Sequence, residues 1–184
     1  MPPPSLSSRM TIQRIGVSRR LQRTVTDRVP GAARLVQNHF QRRPLNGIHI
    51  VIAKPKALPQ LAADAQGEAA GVPKKLWHEH PLTITRKPSD LYAAVVIAPK
   101  GTVRILLNAS RLRRTSETDA TLVYAFIEVD QLIRHGARER RVALVRHEMH
   151  HRRLSKRDYD DLLKQAHAEE DEAEQLLKQF ATRD

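Results

Sequence analysis

Three residues in the C-terminal third of the chain have the types and spacing of a metal-dependent hydrolytic site. Residues 147–151 read His-Glu-Met-His-His, so His147, Glu148 and His151 form the motif H-E-x-x-H. On a helix, positions i and i+4 lie on one face, so two imidazoles there can bind a single Zn²⁺. The intervening Glu148 can then accept a proton from metal-bound water. We therefore expect His147 and His151 to be zinc ligands and Glu148 to be the general base.

The third ligand must be a carboxylate or another histidine. The chain has no cysteine, which excludes disulfide frameworks, Cys-ligated zinc fingers and cysteine nucleophiles. A catalytic zinc usually takes three protein ligands. The last helical segment has an apolar seam with one charged member, Glu170, and a carboxylate facing a core needs a compensating charge. The seam consists of Tyr159, Leu163, Ala166, Glu170, Ala173, Leu177 and Phe180.

We expect Glu170 as the third zinc ligand, with Glu169, Glu172 and His167 as fallback ligands. One condition attaches to this expectation. If a single helix runs from Lys156 to Phe180, Glu170 lies about 20 Å from its start at 1.5 Å per residue. In that case the better placed partners are Asp158, Tyr159 and Asp161.

The motif and the downstream acidic segment together resemble the gluzincin metallopeptidases. His147-Glu148-x-x-His151 is followed, after eighteen residues, by Glu170-Asp171-Glu172-Ala173-Glu174. The small ImmA/IrrE-type peptidases are the most similar in size, and Gly101 to Asn108 resembles a strand that often precedes their motif. The resemblance covers roughly residues 92–180. It implies a zincin-like fold and a zinc-dependent metalloendopeptidase that hydrolyses peptide bonds with metal-activated water.

The resemblance also implies roles for residues around the metal. Glu174 matches the position that supports a ligating histidine from behind. The strand that ends at Leu107 and Asn108 would bind an extended peptide substrate by β-addition. Zn²⁺ is the cofactor so implied, and a protein or peptide is the substrate.

The order of predicted elements favours one α+β domain. Apolar spacing predicts helices over 11–28 and up to about 42, with a break at Pro30-Gly31. A small twisted mixed sheet follows, with strands at 47–53 and 82–85 and a hairpin formed by 91–98 and 103–107. Further helices are expected over 119–135 and 138–153, the second being the active-site helix, and then in a C-terminal helical segment. Residues 1–9 are expected to be disordered, and residues 10–184 to form the domain.

The charge distribution supports an alternative class of function. The formal net charge is +12, and residues 1–60 hold eleven Lys/Arg against one acid. Such a basic region attracts polyanions. The alternatives are therefore a basic nucleic-acid- or repressor-binding module, with nucleic acid as partner of the N-terminal region, and a non-catalytic zinc protein. No apolar run reaches the length of a membrane span, so we expect a cytoplasmic protein with no membrane partner.

Overall fold

The structure of the protein, a computed structural model, describes residues 10–41, 47–77 and 91–181. Within these residues four strands form a single sheet: β1 (Met10–Ile15), β2 (Ile48–Ala53), β3 (Ala93–Ile97) and β4 (Val103–Asn108). Six helices accompany it: α1 (Arg19–Phe40), α2 (Leu58–Ala69), α3 (Lys74–Trp77), α4 (Thr115–Leu132), α5 (Ala137–Glu148) and α6 (Lys156–Ala181). The expected α+β class is confirmed. The strand predicted at 82–85 and the N-terminal residues 1–9 lie outside the described residues.

The sheet is mixed, with strand order β1-β2-β4-β3. Strands β1, β2 and β4 are parallel, and β3 is antiparallel to β4. The register pairs Ile15 with Ala53 and Ala53 with Asn108, so the three parallel strands end together. We call this end of the sheet the carboxyl edge. The predicted hairpin is formed by β3 and β4, which join through a turn at Pro99–Gly101.

Helices cover both faces of the sheet. Ile48, Ile50 and Ile52 of β2 point into the larger apolar cluster, which contains the buried faces of α1 and α4. Val51 and Ala53 point to the opposite side and pack with α2. A strand buried on both faces reads as a continuous apolar run. This explains why β2 was evident from the sequence.

The N-terminal part of the chain differs from the predicted helix over 11–28. Residues Met10–Ile15 form β1, which pairs along its length with β2. Gly16 then adopts a φ of 64°, and helix α1 begins at Arg19. The Ser18 hydroxyl accepts a hydrogen bond from the Leu21 amide at 3.2 Å and caps the new helix. The few apolar residues in this segment fit a strand as well as a helix, and the pairing with β2 decides between them.

The predicted break at Pro30-Gly31 is also wrong, because α1 continues through both residues. An internal proline costs a helix about 3 kcal/mol through the lost hydrogen bond and a steric clash. Val29 and Val36, on either side of the proline, are buried and belong to the face that packs against α4. Tertiary packing therefore outweighs the local penalty of the proline.

The C-terminal segment is one continuous helix, α6, which packs against α4. Helix α4 begins at Thr115, four residues before the predicted start. Among the described residues, no helix combines the length and apolar character needed to cross a bilayer.

Candidate functional site

The H-E-x-x-H segment lies at the C-terminal end of α5, and the helix ends inside the motif. The last helical residue is Glu148, and His150 adopts a left-handed φ of 52°. The His150 amide donates to the His147 carbonyl at 3.0 Å, and the His151 amide donates to the Arg146 carbonyl at 2.9 Å. These two bonds form a Schellman motif, the common end of an α-helix. His151 therefore leaves the helix and does not share a helical face with His147.

The predicted helix over 138–153 is thus too long by five residues. Its end has a local cause, because the chain must turn before α6 begins. Met149 is buried, and Ser155 and Asp158 exchange hydrogen bonds at the start of α6. Between these two fixed points the chain reverses through His150. Glycine is the usual residue at such a position, and histidine occupies it here.

His147 is held by contacts to the start of α6. Its Nδ1 accepts a hydrogen bond from the Leu154 amide at 2.9 Å. Its ring also lies against the Tyr159 ring, with centroids 4.4 Å apart. An amide donor requires an unprotonated Nδ1, so neutral His147 carries its proton on Nε2 in this arrangement. With Nδ1 accepting and Nε2 protonated, neither ring nitrogen offers a lone pair to a metal ion in this arrangement.

Glu148 is half-buried on α5 next to His147. Burial raises the pKa of its carboxyl group, and the positive charge of Arg141 partly opposes that rise. A raised pKa is a property of many general bases. The carboxyl group thus has one property expected of the predicted base.

Glu170 and the fallback ligands on α6 lie away from His147. Helix α6 is continuous, and Glu170 lies eleven residues beyond Tyr159, the residue that contacts His147. That separation is about 16 Å along the helix axis. His167 and Glu174 are exposed on the same helix. The condition under which Glu170 becomes remote from the motif is therefore met.

The two fallback glutamates are engaged in ion pairs that join α6 to neighbouring helices. Glu169 accepts from Arg140 at 3.0 Å. Glu172 accepts two bonds from the Arg134 guanidinium, at 2.8 and 3.0 Å, and a third from the Gln131 amide at 2.9 Å. The Arg134 hydrogen bond lowers the pKa of Glu172, and the Gln131 bond adds to this effect.

The residues nearer the start of α6 have other partners as well. Asp158 exchanges hydrogen bonds with Ser155, and Asp161 lies 3.9 Å from Lys164. Across residues 10–41, 47–77 and 91–181 no three His, Asp or Glu side chains are grouped so that they could hold a metal ion. The described residues therefore form no three-ligand zinc site, and zinc binding stays a prediction.

The expected peptide-binding strand is also placed differently. Strand β4 lies inside the sheet, and Leu107 is paired with Ile52 on one side and Ala93 on the other. It therefore has no free edge for β-addition of a peptide. Asn108 is fully buried. Its side-chain amide nitrogen donates to the Leu91 carbonyl at 2.7 Å, and its Oδ1 accepts from the Ser110 backbone amide. We assign Asn108 a structural role at the end of the strand.

The carboxyl edge of the sheet gathers basic residues from three distant parts of the sequence. The segments that follow β1, β2 and β4 all leave from this edge, and no acidic residue occurs in 54–57, in 109–114 or in 14–20, which includes the last two residues of β1. Seven of the eight cations in these segments are exposed, and Arg111 is half-buried. They are Arg14, Arg19, Arg20, Lys54, Lys56, Arg111, Arg113 and Arg114.

Three helices begin at the same edge. Helices α1, α2 and α4 follow β1, β2 and β4 after short connections, and neither α1 nor α2 has an acidic residue in its first turn. Helices α1 and α2 pack on opposite faces of the sheet. In open sheets with parallel strands, ligands bind at the carboxyl ends of neighbouring strands whose connections diverge in this way. Helix N-termini also carry partial positive charge, which adds to that of the side chains.

An exposed aromatic residue accompanies these cations. Tyr92 directly precedes β3. Its carbonyl accepts a hydrogen bond from the backbone amide of Asn108 at 3.0 Å, and this bond places Tyr92 at the carboxyl edge. Tyr92 is 45% exposed, and the Arg111 guanidinium lies 5.4 Å from its ring centroid. From the sequence, Phe40 is the one aromatic residue near the N-terminal arginines, and it packs against the core instead. The antiparallel pairing of β3 with β4 brings Tyr92 and Arg111 to the edge, and the hairpin predicted from the sequence is the signal that could have found them.

Comparison with protein-family models, with curated proteins and with solved structures finds no match to this chain.

Proposed function

We propose that this protein binds nucleic acid at the carboxyl edge of its sheet, chiefly through the phosphate backbone. The observation that carries this proposal is the convergence of eight basic side chains with the N-termini of α1 and α2, which have no acidic residue in their first turns; α4 begins at the same edge but has Glu117 in its first turn. Phosphate groups bind readily at helix N-termini, because free backbone amides and the helix dipole both favour an anion there. Lys and Arg side chains supply the remaining charge.

The positions of the arginines strengthen the argument for an anionic ligand. Arg19 and Arg20 are the first two residues of α1, where a cation is repelled by the positive end of the helix dipole. Such residues lower the stability of the free protein. A bound phosphate would compensate both the side chains and the dipole.

Tyr92 favours nucleic acid over other polyanions. Proteins that bind single strands combine a basic groove with exposed aromatic rings on which bases stack. Tyr92 and Arg111 provide such a ring beside a cation. Stacking of this kind tolerates any base, so we expect little sequence preference and stronger binding to single strands than to duplexes.

The proposal is tested by fluorescence anisotropy with a labelled single-stranded oligonucleotide over a range of salt concentrations. Each phosphate contact adds about 0.7 to the slope of log K against log salt for a single strand. The variant R19Q/R20Q/K54Q should lower the slope by about 2. Y92A should weaken binding at all salt concentrations, by about 1–3 kcal/mol.

The control removes the same charge elsewhere. R157Q/K164Q/K178Q neutralises three exposed cations on α6, away from the carboxyl edge. It should leave the slope close to that of the wild type. Equal losses in the two triple variants would show that only net charge matters, and would contradict a site at this edge.

A zinc-dependent metallopeptidase is the second candidate function. One observation favours it: Glu148 is half-buried at the end of α5, directly after His147, as the predicted motif requires. Metal analysis of the purified wild-type protein and of H147A tests it. Stoichiometric zinc in the wild type that is lost in H147A supports the metal site, whereas two zinc-free proteins contradict it. Loss of peptide hydrolysis in E148Q with zinc retained would support catalysis.

A further inference from the structure

A cleft of about 510 Å³ lies between α5 and the segment that leads into α6. Four arginines line it: Arg138 and Arg146 on α5, and Arg152 and Arg153 after the helix. Two acids, Glu139 and Asp158, also border the cleft, so its lining keeps a net positive charge. This volume lies within the usual range for small-molecule sites.

Arg138 and Arg146 are fixed in place by backbone carbonyl groups. Arg138 donates from Nη1 to the Thr102 carbonyl at 3.0 Å and from Nη2 to the Ala98 carbonyl. Arg146 donates from Nε to the Ala70 carbonyl at 2.7 Å. Within the part of the chain that the structure describes, neither arginine forms an ion pair with a carboxylate. The two cations are therefore positioned before any ligand binds, and their charge is not neutralised.

Arg146 keeps the donors that recognise a phosphate. Only its Nε is used by Ala70, so both Nη groups can donate to a ligand that enters the cleft. A guanidinium presents these N–H groups in a planar fork that matches two oxygens of a phosphoryl group. Arg138 lies eight residues away on α5, about 12 Å along the helix axis, so its charge faces a different part of the ligand from the phosphate bound by Arg146.

The two acids do not cancel this charge. Asp158 is engaged at the start of α6: the Ser155 Oγ caps the helix by accepting from the Asp158 backbone amide at 3.1 Å, and the Ser155 hydroxyl donates to the Asp158 carboxylate at 2.7 Å. Glu139 is exposed in the first turn of α5, where the helix dipole stabilises its charge. Val142, Ala143 and Leu154 add apolar surface that the body of a small ligand can contact.

We infer that this cleft is a phosphoryl-binding site, in which Arg146 donates two hydrogen bonds to the phosphate and Arg138 supplies a second fixed cation. Arg152 and Arg153 are exposed and complete the charge around the ligand. The ligand chemistry fits a phosphate monoester or a backbone phosphate of nucleic acid. The site is distinct from the carboxyl edge, because Ala98 and Thr102 flank the β3–β4 turn at the opposite end of the strands.

The test is a titration of the ¹⁵N-labelled wild-type protein with inorganic phosphate, followed by two-dimensional NMR at constant ionic strength. Saturable shifts are expected at the amides of Arg146, Leu154 and Ser155, with acetate causing much smaller ones. R146K keeps the charge but loses the fork, and should weaken phosphate binding about tenfold. R34Q removes an exposed arginine of α1 outside the cleft and should bind phosphate as the wild type does.

Two results would overturn the inference. One is a phosphate response that does not saturate or that acetate reproduces; the other is an unchanged affinity in folded R146K. The wild-type shift map does not depend on any variant, so a misfolded R146K still leaves the site testable.

A second titration, with a single-stranded oligonucleotide, identifies the source of the phosphate. Shifts at the cleft that compete with inorganic phosphate assign the cleft to nucleic acid. Oligonucleotide shifts confined to the carboxyl edge, with the phosphate response intact, assign it to a small phosphorylated ligand. Failure of all oligonucleotide binding contradicts the proposed function, but leaves the phosphate result standing by itself.

Discussion

At the scale of single residues, His150 decides how the H-E-x-x-H segment folds. Its left-handed φ of 52° and the Schellman hydrogen bonds around it end α5 before His151 is reached. A left-handed conformation costs a residue with a Cβ about 1–2 kcal/mol, and glycine does not incur this cost. The same residue would continue the helix in the metal-binding arrangement. The backbone conformation of His150 thus distinguishes the helix end found here from the continuous helix that the metal-binding arrangement requires.

We therefore expect H150G to stabilise the protein by about 1 kcal/mol, because glycine relieves the strain at this position. Urea unfolding of both proteins measures the difference. In a helix that continues to Arg153, glycine would instead destabilise by about 1 kcal/mol relative to a helix-forming residue. H150A is the control, since alanine keeps the strain and should change stability less. Destabilisation by H150G beyond that of H150A would contradict a left-handed conformation at this position.

The sequence alone could identify the chemistry-bearing residues of this segment but not their arrangement. Spacing shows that His147 and His151 would share a face if the helix continued. Whether it continues depends on contacts made elsewhere, such as the bond from the Leu154 amide to His147. Those contacts exist only once α6 packs beside α5. A motif therefore predicts a site on the condition that its helix is intact.

At the scale of elements, α2 and α3 pack so closely that the Trp77 ring of α3 lies against the backbone of Gly67 in α2. Among the described glycines, Gly67 has the least room for a side chain. A Cβ added at Gly67 would lie 2.3 Å from Nε1 of Trp77, an indole nitrogen that donates to the Val72 carbonyl at 2.8 Å. The ring is held by this bond and is buried, so it has little room to move. Glycine at position 67 is required by packing, although it weakens the helix.

We expect G67A to destabilise the protein by about 1–3 kcal/mol through overpacking. Gly31 in α1 provides a matched control, because a Cβ there would meet nothing within 4 Å. G31A should stabilise by up to about 1 kcal/mol, since alanine is the better helix former. Thermal unfolding of the two variants measures opposite shifts. A neutral G67A would mean that Trp77 is not packed against α2.

Arg134 and Glu172 join α4 and α6 through a two-bond ion pair. Because Arg134 lowers the pKa of Glu172, the folded state holds this carboxylate ionised to lower pH than the unfolded chain does. The pair's contribution is therefore complete above the ordinary glutamate pKa of about 4.3, and is lost as pH falls through the lowered value. Glu172 is 39% exposed, so solvent screening limits the effect.

We expect E172Q to destabilise by about 0.5–1 kcal/mol at pH 7 and to match the wild type near pH 2. D161N is the control, since the Asp161–Lys164 pair is longer and mostly exposed, and should change stability little. Unfolding by urea at several pH values tests both variants. A pH-independent loss in E172Q would show that the ion pair is not its cause.

The elements that the sequence predicts well are those with a strong local signal. Strand β2 and the β3–β4 hairpin are short apolar runs bounded by Gly and Pro, and α6 has a regular apolar seam. Strand β1 has few apolar residues and forms through its pairing with β2, whose residues lie some forty positions away. The continuation of α1 through Pro30 likewise depends on packing against α4. Both features are decided by partners distant in the sequence.

At the scale of the whole molecule, the basic edge is a product of topology. The sequence shows that the N-terminal region is basic, but nothing in it indicates that Lys54 and Arg113 lie near Arg19. Parallel pairing of β1, β2 and β4 in register brings the three segments to one edge. The excess positive charge is thereby concentrated on one surface of the protein. Its likeness to the ligand-binding edge of other parallel sheets is a consequence of strand direction and helix dipoles.

A positive edge without its ligand should reduce the stability of the free protein at low salt. Arg19 and Arg20 begin α1, and each cation near a helix N-terminus costs about 0.3–1 kcal/mol at low ionic strength. R19Q/R20Q should therefore unfold at a higher temperature than the wild type in dilute buffer. At 1 M salt the screening length falls to about 3 Å, and the difference should shrink.

The control for this prediction is a substitution that should change the stability in the opposite direction. Lys178 lies in the last turn of α6, where the helix dipole favours a cation, so K178Q should leave stability unchanged or lower it. With a saturating oligonucleotide, the wild type should instead unfold at a higher temperature than R19Q/R20Q. The oligonucleotide binds the folded wild type more tightly and stabilises it by mass action. Thermal unfolding in both salts, with and without oligonucleotide, measures all of these differences. If R19Q/R20Q never exceeds the wild type, the arginines are not opposed by the helix dipole, and the stability argument for an anionic ligand at this edge fails.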